Sequence, residues 1–422
     1  MKKLDNGLIL RYLKKSDRES LLEHVNNVYA SSIIPSVSNL TNQLLDHYPG
    51  FSLKDNFVVV DTKQNNKIIA WLCLLRKKCV FEDVEIPYGQ MDMVGTHKEY
   101  RNRGLIRQLS KVLEQHAAEY NLPFLVVLGI PYYYKRLGYE YAIALEESIR
   151  IPTHRVPPLE DEKEIFIIEK VNDVTSYQIY LKIRAKRNAH LDLYQQIQAS
   201  SFQFYSGLNL EESDEARHFY LVKKGAKIIG NFYLVIRFGY LRIRECYVED
   251  MAAIPTILRF VKELAESHKL PVTINKPAQD ALIPYLEEIA GTKLTDPYAW
   301  YVKIPSFKTF LEQISSVLEK RLQQSIFKEL DAIITISYYK AGIKLTFQRG
   351  KLVSITELSI ADMQSSNQPI NLYIPPNNFI QLLMGYRTLD TLDELDVSSA
   401  GKTKYLLKIL FPKVKASLTP TI

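Results

Sequence analysis

Three arginines and a glycine lie close together, at Arg101, Arg103, Gly104 and Arg107, ahead of a long amphipathic segment. The first amides of a helix have no partner inside the helix and carry a partial positive charge of about half an elementary unit, so they bind anions. A glycine lets the backbone approach such an anion, and arginines add charge around it. The spacing predicts a diphosphate site, although a loop of this kind seen alone is more often a solvated helix cap.

The segments around this loop must form the elements that position it. Before it, residues 84–94 are an apolar, β-branched run that predicts a strand, and from Gly104 onward the apolar side chains recur at the spacing of a helix packed on a sheet. We expect further strands over 8–13, 56–61, 67–75, 124–128 and 139–151, helices over 17–30 and 38–47, and a helical turn over 131–137. The charged triplet 76–78 (Arg-Lys-Lys) predicts a polar hairpin turn.

The middle of the chain follows the same plan after a proline-rich, acidic linker at residues 152–163. We predict strands over 218–223, 227–238 and 240–248, and a helix over 254–266. Where a second anion loop would fall, residues 249–253 read Glu-Asp-Met-Ala-Ala, without glycine and with two carboxylates that would repel a diphosphate. This second copy is therefore expected not to bind the ligand of the first.

The last block of the chain, residues 305–422, predicts a smaller α/β unit. We expect helices over 307–321, 376–384 and 403–411, and strands over 333–339, 343–348 and 352–358.

Two of these stretches resemble the GNAT superfamily of acetyl-CoA-dependent N-acetyltransferases. Residues 101–106 match its pyrophosphate-loop pattern Arg/Gln-x-x-Gly-x-Gly/Ala except at Ile106, and residues 134–139 (Tyr-Lys-Arg-Leu-Gly-Tyr) match its late aromatic motif. The narrower resemblance is to Eis-type acetyltransferases, whose loop reads Arg-x-Arg-Gly-Leu-Leu/Ile-Arg. The C-terminal domain of that family is similar to sterol carrier proteins, and residues 374–376 and 379–387 resemble this domain. It implies an α/β (α+β) fold: a GNAT domain over 1–151, a degenerate GNAT-like domain over 152–304, and a sterol-carrier-protein-like domain over 305–422.

The resemblance implies that the N-terminal domain binds acetyl-CoA and passes its acetyl group to an amine. Met93, Val94 and Gly95 would present backbone groups to the pantetheine arm, and Gly95 suggests a bulge that opens a gap between strands. Gly129 and Ile130 would line the same site. The loop and helix residues that would bind the diphosphate are Arg101, Asn102, Arg103, Gly104, Leu105, Ile106 and Arg107.

The resemblance also implies an acid and a base. A tyrosine hydroxyl, with an ordinary pKa of about 10, stays protonated at neutral pH and can donate to a leaving thiolate, and Tyr134 stands at the family's position for that role. The family's base is the chain's own C-terminal carboxylate, here that of Ile422. Asp92 is the alternative base, and it could equally be an outward-facing strand residue.

Composition narrows the function classes. The chain is 46% hydrophobic and 24% charged, as in ordinary folded proteins, and has no run near the ~20 apolar residues that span a bilayer. Its net charge of +7 is spread along the sequence, which suits a phosphate-bearing cofactor better than nucleic acid. Three cysteines (Cys73, Cys79 and Cys246) show neither a disulfide framework nor metal-ligand spacing. We therefore expect a cytoplasmic protein without a bound metal.

The acceptor is left open by the sequence. The leading hypothesis, from the resemblance, is a small polycationic amine such as an aminoglycoside. The alternatives are a protein lysine, or a carrier protein whose C-terminal domain holds an apolar ligand while the acetyltransferase fold is a relic. The intact loop and Tyr134 favour an enzyme over the relic, and the family suggests trimers or hexamers.

Overall fold

The structure is a computed structural model that describes residues 2–29, 37–159, 164–207, 216–237, 239–276, 282–290, 299–365, 369–392, 398–399 and 401–420. Over these ranges the chain forms three β-sheets of ten, six and five strands, with helices packed on their faces. None of the helices in these ranges is long and apolar enough to cross a membrane. The mixed α/β class that the sequence predicts is confirmed.

The N-terminal part supplies most of the first sheet. Its strands are β1 (Lys2–Lys3), β2 (Leu8–Tyr12), β3 (Asn56–Asp61), β4 (Lys67–Phe81), β5 (Val84–Thr96), β6 (Leu125–Val127), β7 (Glu140–Ala144) and β8 (Glu147–Ile151). Its helices are α1 (Arg18–Tyr29), α2 (Val37–His47) and α3 (Leu105–Glu119). The predicted polar turn at 76–78 is wrong, because β4 runs straight through it and turns only at Glu82, which has a φ of 55°.

The rest of the chain supplies most strands of the other two sheets and three strands of the first. The middle part contains β9 (Phe166–Lys170), α4 (Val174–Asn188), β10 (Leu193–Gln196), α5 (Phe202–Ser206), β11 (His218–Lys224), β12 (Lys227–Arg237), β13 (Tyr240–Val248), α6 (Ile254–His268), β14 (Val272–Lys276), α7 (Ile283–Ala290) and β15 (Ala299–Lys303). The last part contains α8 (Phe307–Gln313), α9 (Ser315–Gln323), β16 (Ala332–Ser337), β17 (Gly342–Gln348), β18 (Lys351–Leu358), α10 (Ile360–Ser365), β19 (Leu372–Tyr373), α11 (Pro376–Leu383), β20 (Ser398–Ser399), α12 (Gly401–Leu410) and β21 (Ala416–Ser417). The helix predicted over 307–321 is interrupted at Ile314, so it forms α8 and α9.

The first two sheets exchange strands. β15 lies antiparallel between β6 and β7 in the first sheet, whereas β8 pairs with β14 in the second sheet. The single strand predicted over 139–151 is therefore wrong: the segment forms two strands that belong to different sheets. The predicted division of the chain at residues 151 and 304 stays a prediction, and the sheets do not follow the first of these boundaries.

The last part packs on one face of the first sheet. Tyr88 and Phe124 of the first sheet stack at 5.2 Å between ring centroids, and Phe310 of α8 meets Phe124 edge-on at 6.0 Å. These rings belong to one buried apolar cluster that also contains Trp300 of β15 and Phe379 of α11. The C-terminal strand β21 runs parallel to β10, which pairs with the far end of β4. The first sheet thus gathers strands from all three parts of the chain.

Candidate functional site

A gap opens between two neighbouring strands of the first sheet. β6 pairs in parallel with β5 only at Gly89 and Gln90, opposite Leu125 and Val126. Beyond these pairs β5 continues to Thr96, whereas β6 ends at Val127. Parallel strands that diverge at their carboxyl ends leave backbone amides and carbonyls facing a slot into which an extended ligand can fit.

A β-bulge lies on the β5 side of this gap. In the ladder with β4, Asp92 faces Cys73 and Gly95 faces Trp71, so Met93 and Val94 together oppose one residue. Met93 has a φ of 53°, a left-handed conformation that costs a residue with a side chain on the order of 1–3 kcal/mol. The sequence expectation that Gly95 forms the bulge is therefore wrong in position, because the strain falls two residues earlier.

Gly95 is needed for packing. A Cβ on Gly95 would lie 2.8 Å from Cγ1 of Val28, so only a glycine lets α1 come this close to β5. The next residue of α1, Tyr29, donates a hydrogen bond from its hydroxyl to the carbonyl oxygen of Val94 at 3.3 Å. Helix α1 thereby fixes the strand immediately after the bulge.

The predicted anion loop connects β5 to α3. Asn102 and Gly104 both have a left-handed backbone, with φ of 64° and 69°. The loop is fixed from below by Tyr100, whose hydroxyl donates to Asp61 at 2.6 Å, while the guanidinium carbon of Arg103 lies 4.7 Å from the centre of the Tyr100 ring. Among the described residues no side chain caps the helix at Gly104, so the cap position leaves the first amides of α3 without a side-chain acceptor.

The predicted diphosphate residues divide into two groups. Exposed residues of the loop and the first turn could reach a ligand with their side chains: Arg101, Asn102, Arg103 and Arg107. Leu105 and Ile106, in contrast, are only 4% and 7% exposed and pack in the core beneath α3. They can meet a ligand only through their backbone N–H groups, and Ile106 is accommodated in place of a small residue because its side chain points inward.

Tyr134 and Gly129 meet just past the end of β6. A Cβ on Gly129 would lie 2.5 Å from Cε2 and 3.0 Å from the hydroxyl of Tyr134, so the glycine makes room for this ring. Tyr134 is 6% exposed, and Tyr301 of the inserted strand β15 packs on it at 5.5 Å between centroids. The Tyr301 hydroxyl also lies 3.3 Å from the carbonyl oxygen of Ile130, whose own side chain is 70% exposed. Sequence reasoning missed Tyr301, since only strand insertion brings it here.

Asp92 belongs to a polar chain on the other face of β5. Its carboxylate accepts hydrogen bonds from the Gln90 amide and, at 2.8 Å, from the N–H of Met93, while Lys77 donates to Gln90. Burial raises the pKa of the Asp92 carboxyl, and burial lowers the pKa of Lys77 to about 7. Asp92 is therefore not a solvated strand residue. Lys77 and Gln90 were missed because the 76–78 triplet reads as a surface turn.

The C-terminal segment approaches this same polar chain. Ile422 lies outside the described residues, but Leu418 and Thr419 are each 4% exposed, and the Trp300 indole donates to the Leu418 carbonyl at 3.2 Å. Arg217 donates to the carbonyl oxygen of Pro420. Burial lowers the pKa of Lys77 most, the Asp92 carboxylate opposes this by raising it, and the charge of Arg217 lowers it further. The tail is thus bound at its last described residue by an arginine whose charge also acts on Lys77.

Comparison with known proteins agrees with this geometry. Residues 10–142 match a family model described as an acetyltransferase (GNAT) domain. Among solved structures, a conserved protein of unknown function and probable N-acyltransferase from Enterococcus faecalis V583 has a TM-score of 0.72 at 14% identity, covering 98% of this chain and 100% of the other.

Two further structures share the fold over nearly the whole chain. A GCN5-related N-acetyltransferase from Anabaena variabilis ATCC 29413 has a TM-score of 0.66 at 16% identity and covers 98% of both chains. Eis1 from Mycobacterium abscessus has a TM-score of 0.62 at 10% identity, over 98% of this chain and 100% of the other. No curated protein sequence matches the chain. Residues 10–142 therefore form an acetyltransferase domain of the GNAT type, and the chain is an acyltransferase.

Proposed function

We propose that the chain transfers the acetyl group of acetyl-CoA to an amine of a small polycationic molecule, of the class that aminoglycosides represent. One observation carries the proposal: the uncapped start of α3 at Gly104, the gap beside the Met93 bulge and the buried Tyr134 all lie at or beyond the carboxyl ends of the neighbouring strands β5 and β6. A diphosphate, an extended arm and a leaving thiolate would need these features in this order.

The residues present fit acetyl-CoA, which when bound supplies an activated thioester carbonyl. The first amides of α3 and the exposed Arg101, Arg103 and Arg107 would hold its diphosphate. The pantetheine contacts are assigned to Val94 and Gly95 ahead of Met93, because the Met93 N–H already donates to Asp92. Gly129 and Ile130 would line the end of the gap.

Tyr134 is proposed as the general acid. Its hydroxyl would donate a proton to the leaving sulfur, and its ring is held in one place by Gly129 and Tyr301. A fixed donor matters because general acid catalysis requires the proton within hydrogen-bond reach of the leaving atom.

Two carboxylates are proposed as the base that deprotonates the amine. Asp92 has a pKa raised by burial, which makes it a stronger base than an exposed aspartate. The carboxylate of Ile422 is the alternative, supported by the course of the tail up to Pro420, where Arg217 binds it. The two assignments predict different variants to be inactive.

The decisive experiment measures thiol release from acetyl-CoA with a panel of amines: an aminoglycoside, spermidine and a lysine-containing peptide. Tyr134→Phe should lower kcat by about 100-fold, the lower range for general acid–base catalysis, while calorimetry shows unchanged acetyl-CoA affinity. Tyr133→Phe is the matched control and should keep the wild-type rate. An unchanged kcat in Tyr134→Phe would remove this residue from the mechanism, and transfer to the peptide alone would make the chain a protein-lysine acetyltransferase.

The base is tested in the same assay with two variants. Removal of Thr421 and Ile422 should abolish turnover if the terminal carboxylate is the base, whereas Asp92→Asn should do so if Asp92 is. Full activity in either variant excludes that carboxylate.

The remaining expectations are also proposals: a second copy that binds no acetyl-CoA, a C-terminal domain like sterol carrier proteins, a cytoplasmic location, and assembly into trimers or hexamers. Native mass spectrometry of the purified protein would test the assembly, and a monomer would contradict it.

A further inference from the structure

The last described residues of the chain are buried in a cleft built largely by the middle part. Ser417 is 3% exposed and Thr419 is 4% exposed, and the segment begins as strand β21 beside β10. Alternate residues of an extended chain lie on the same face, so the hydroxyls of Ser417 and Thr419 share one side. Each of them meets a buried ion pair.

The Thr419 hydroxyl meets the pair formed by Arg184 and Glu245. Arg184 binds both carboxylate oxygens of Glu245 at 2.6 and 2.9 Å, and both side chains are at most 4% exposed. The Thr419 hydroxyl donates to Glu245 and lies 3.4 Å from Nη2 of Arg184. Burial alone would raise the pKa of Glu245, but the charge and hydrogen bonds of Arg184 hold it well below its usual range.

The Ser417 hydroxyl meets a second pair, formed by Arg187 and Glu146. These two side chains are 2.6 Å apart, and Ser417 lies 3.5 Å from Arg187 and 3.3 Å from Glu146. Arg184 and Arg187 are three residues apart on α4 and therefore lie on the same helix face. One face of α4 thus presents two arginines to two alternate hydroxyls of the tail.

Stability alone does not account for this arrangement. Replacing a buried ion pair by apolar groups is often neutral or stabilising, and the best-attested use of such pairs is to fix one register. The carboxylates of both pairs contact hydroxyl groups of the tail, which points to a role in placing it.

We propose that Arg184, Glu245, Arg187 and Glu146 are positioning residues that clamp the C-terminal segment in one register through Thr419 and Ser417. The clamp determines the position of the described tail up to Pro420, whose carbonyl oxygen Arg217 binds. Its consequence for catalysis rests on the proposed function, whereas the clamp itself does not.

The test uses Thr419→Val, which keeps the shape of the side chain and removes the hydroxyl, so the variant should fold. Deuterium exchange of the backbone amides at residues 416–419 should become at least about 10-fold faster, which corresponds to about 1.4 kcal/mol of lost protection. Thr419→Ser should restore slow exchange. The matched control Thr309→Val alters a threonine of α8 outside the clamp and should leave the tail unchanged.

Activity is measured separately with the same variants. If the tail carries the base, Thr419→Val should lower kcat about 10-fold and leave the KM for acetyl-CoA unchanged, and Thr419→Ser should recover most of kcat. Tail exchange that does not respond to Thr419→Val overturns the clamp. Exchange that responds while kcat stays at the wild-type value keeps the clamp and removes the tail from the proposed mechanism.

Discussion

The first and second sheets each contain a long bulged hairpin that leads into a helix, β4–β5–α3 in one and β12–β13–α6 in the other. The bulge residues Met93 and Glu245 have nearly equal φ, 53° and 48°. Each bulged strand also pairs in parallel with the next strand, β6 or β14, over two or three residues. The backbone plan is the same in both.

The side chains at equivalent places differ. Beyond the Met93 bulge the chain forms the arginine-rich loop, and α3 begins without a side-chain cap. Beyond the Glu245 bulge, the Asp250 carboxylate accepts from the N–H of Ala252 at 3.1 Å and pairs with Lys224 at 2.8 Å. The second helical start is thus occupied by a carboxylate of its own chain, while Glu245 contacts the tail. The same backbone plan therefore carries a free helix start in one sheet and a carboxylate-capped start in the other.

The largest expected effect comes from placing a carboxylate at the start of α3, where Asp250 provides one at the corresponding place of the second sheet. Gly104→Asp places a carboxylate where a diphosphate would bind and forces a side chain into a left-handed conformation. Affinity for acetyl-CoA should fall by at least about 100-fold, or roughly 3 kcal/mol. Calorimetry measures it directly.

Two controls separate charge from strain. Apart from its chain neighbours, no atom of the described residues lies within 4 Å of a Cβ built on Gly104, so Gly104→Ala adds backbone strain without a clash. This variant should lower the affinity for acetyl-CoA by about 10-fold or less, roughly 1 kcal/mol. Asp250→Asn in the second copy should leave the affinity unchanged. Equal affinities for wild type and Gly104→Asp would break the comparison, because the loop would then not be the diphosphate site.

The next prediction concerns a buried histidine on α1, the helix that packs against the bulged strand β5. Helix α1 carries His24, which is 1% exposed and whose pKa burial lowers to about 4. The folded state therefore favours neutral His24. Its contribution to the free energy of unfolding is fully present above pH 6.5 and is lost as the pH falls toward 4. The loss is about 3 kcal/mol over this window.

Urea unfolding at pH 7 and pH 4 measures this change in the free energy of unfolding. His24→Gln should unfold with a smaller difference between the two pH values than wild type does. His218, whose pKa burial also lowers to about 4, is present in both proteins and cancels. An identical difference in the two proteins would show that His24 titrates normally.

The smallest expected effect concerns the position of Tyr134. Gly129→Ala would place a Cβ 2.5 Å from Cε2 of Tyr134 and so displace the ring. The kcat for acetyl transfer should fall about 10-fold, and the double variant with Tyr134→Phe should be no slower than Tyr134→Phe alone. Independent, multiplying losses in this double-mutant cycle would show that Gly129 acts by another route.

Local pattern gave good guidance wherever the elements and the motif are contiguous in the chain. The strand before the loop, the helix after it and the turn at Tyr134 are all confirmed as elements, because each depends on apolar periodicity or turn chemistry within a short stretch. The sequence predicts the bulge at Gly95 and not at Met93, since glycine is the residue that usually marks such strain. It predicts a turn at Lys77, since nothing nearby in the sequence reveals what covers this residue.

The sequence by itself was enough to predict the diphosphate loop, the Tyr134 motif and the lack of a second such loop, because each prediction depends only on the chemistry of adjacent residues. Only the tertiary structure decided that Tyr301 reaches Tyr134 through the inserted β15, that Lys77 and Gln90 are linked to Asp92, and that α4 clamps the tail. These contacts join residues far apart in the chain. Pairing between distant segments depends on which surfaces remain to be buried once every other element has packed, and no single stretch of sequence specifies that.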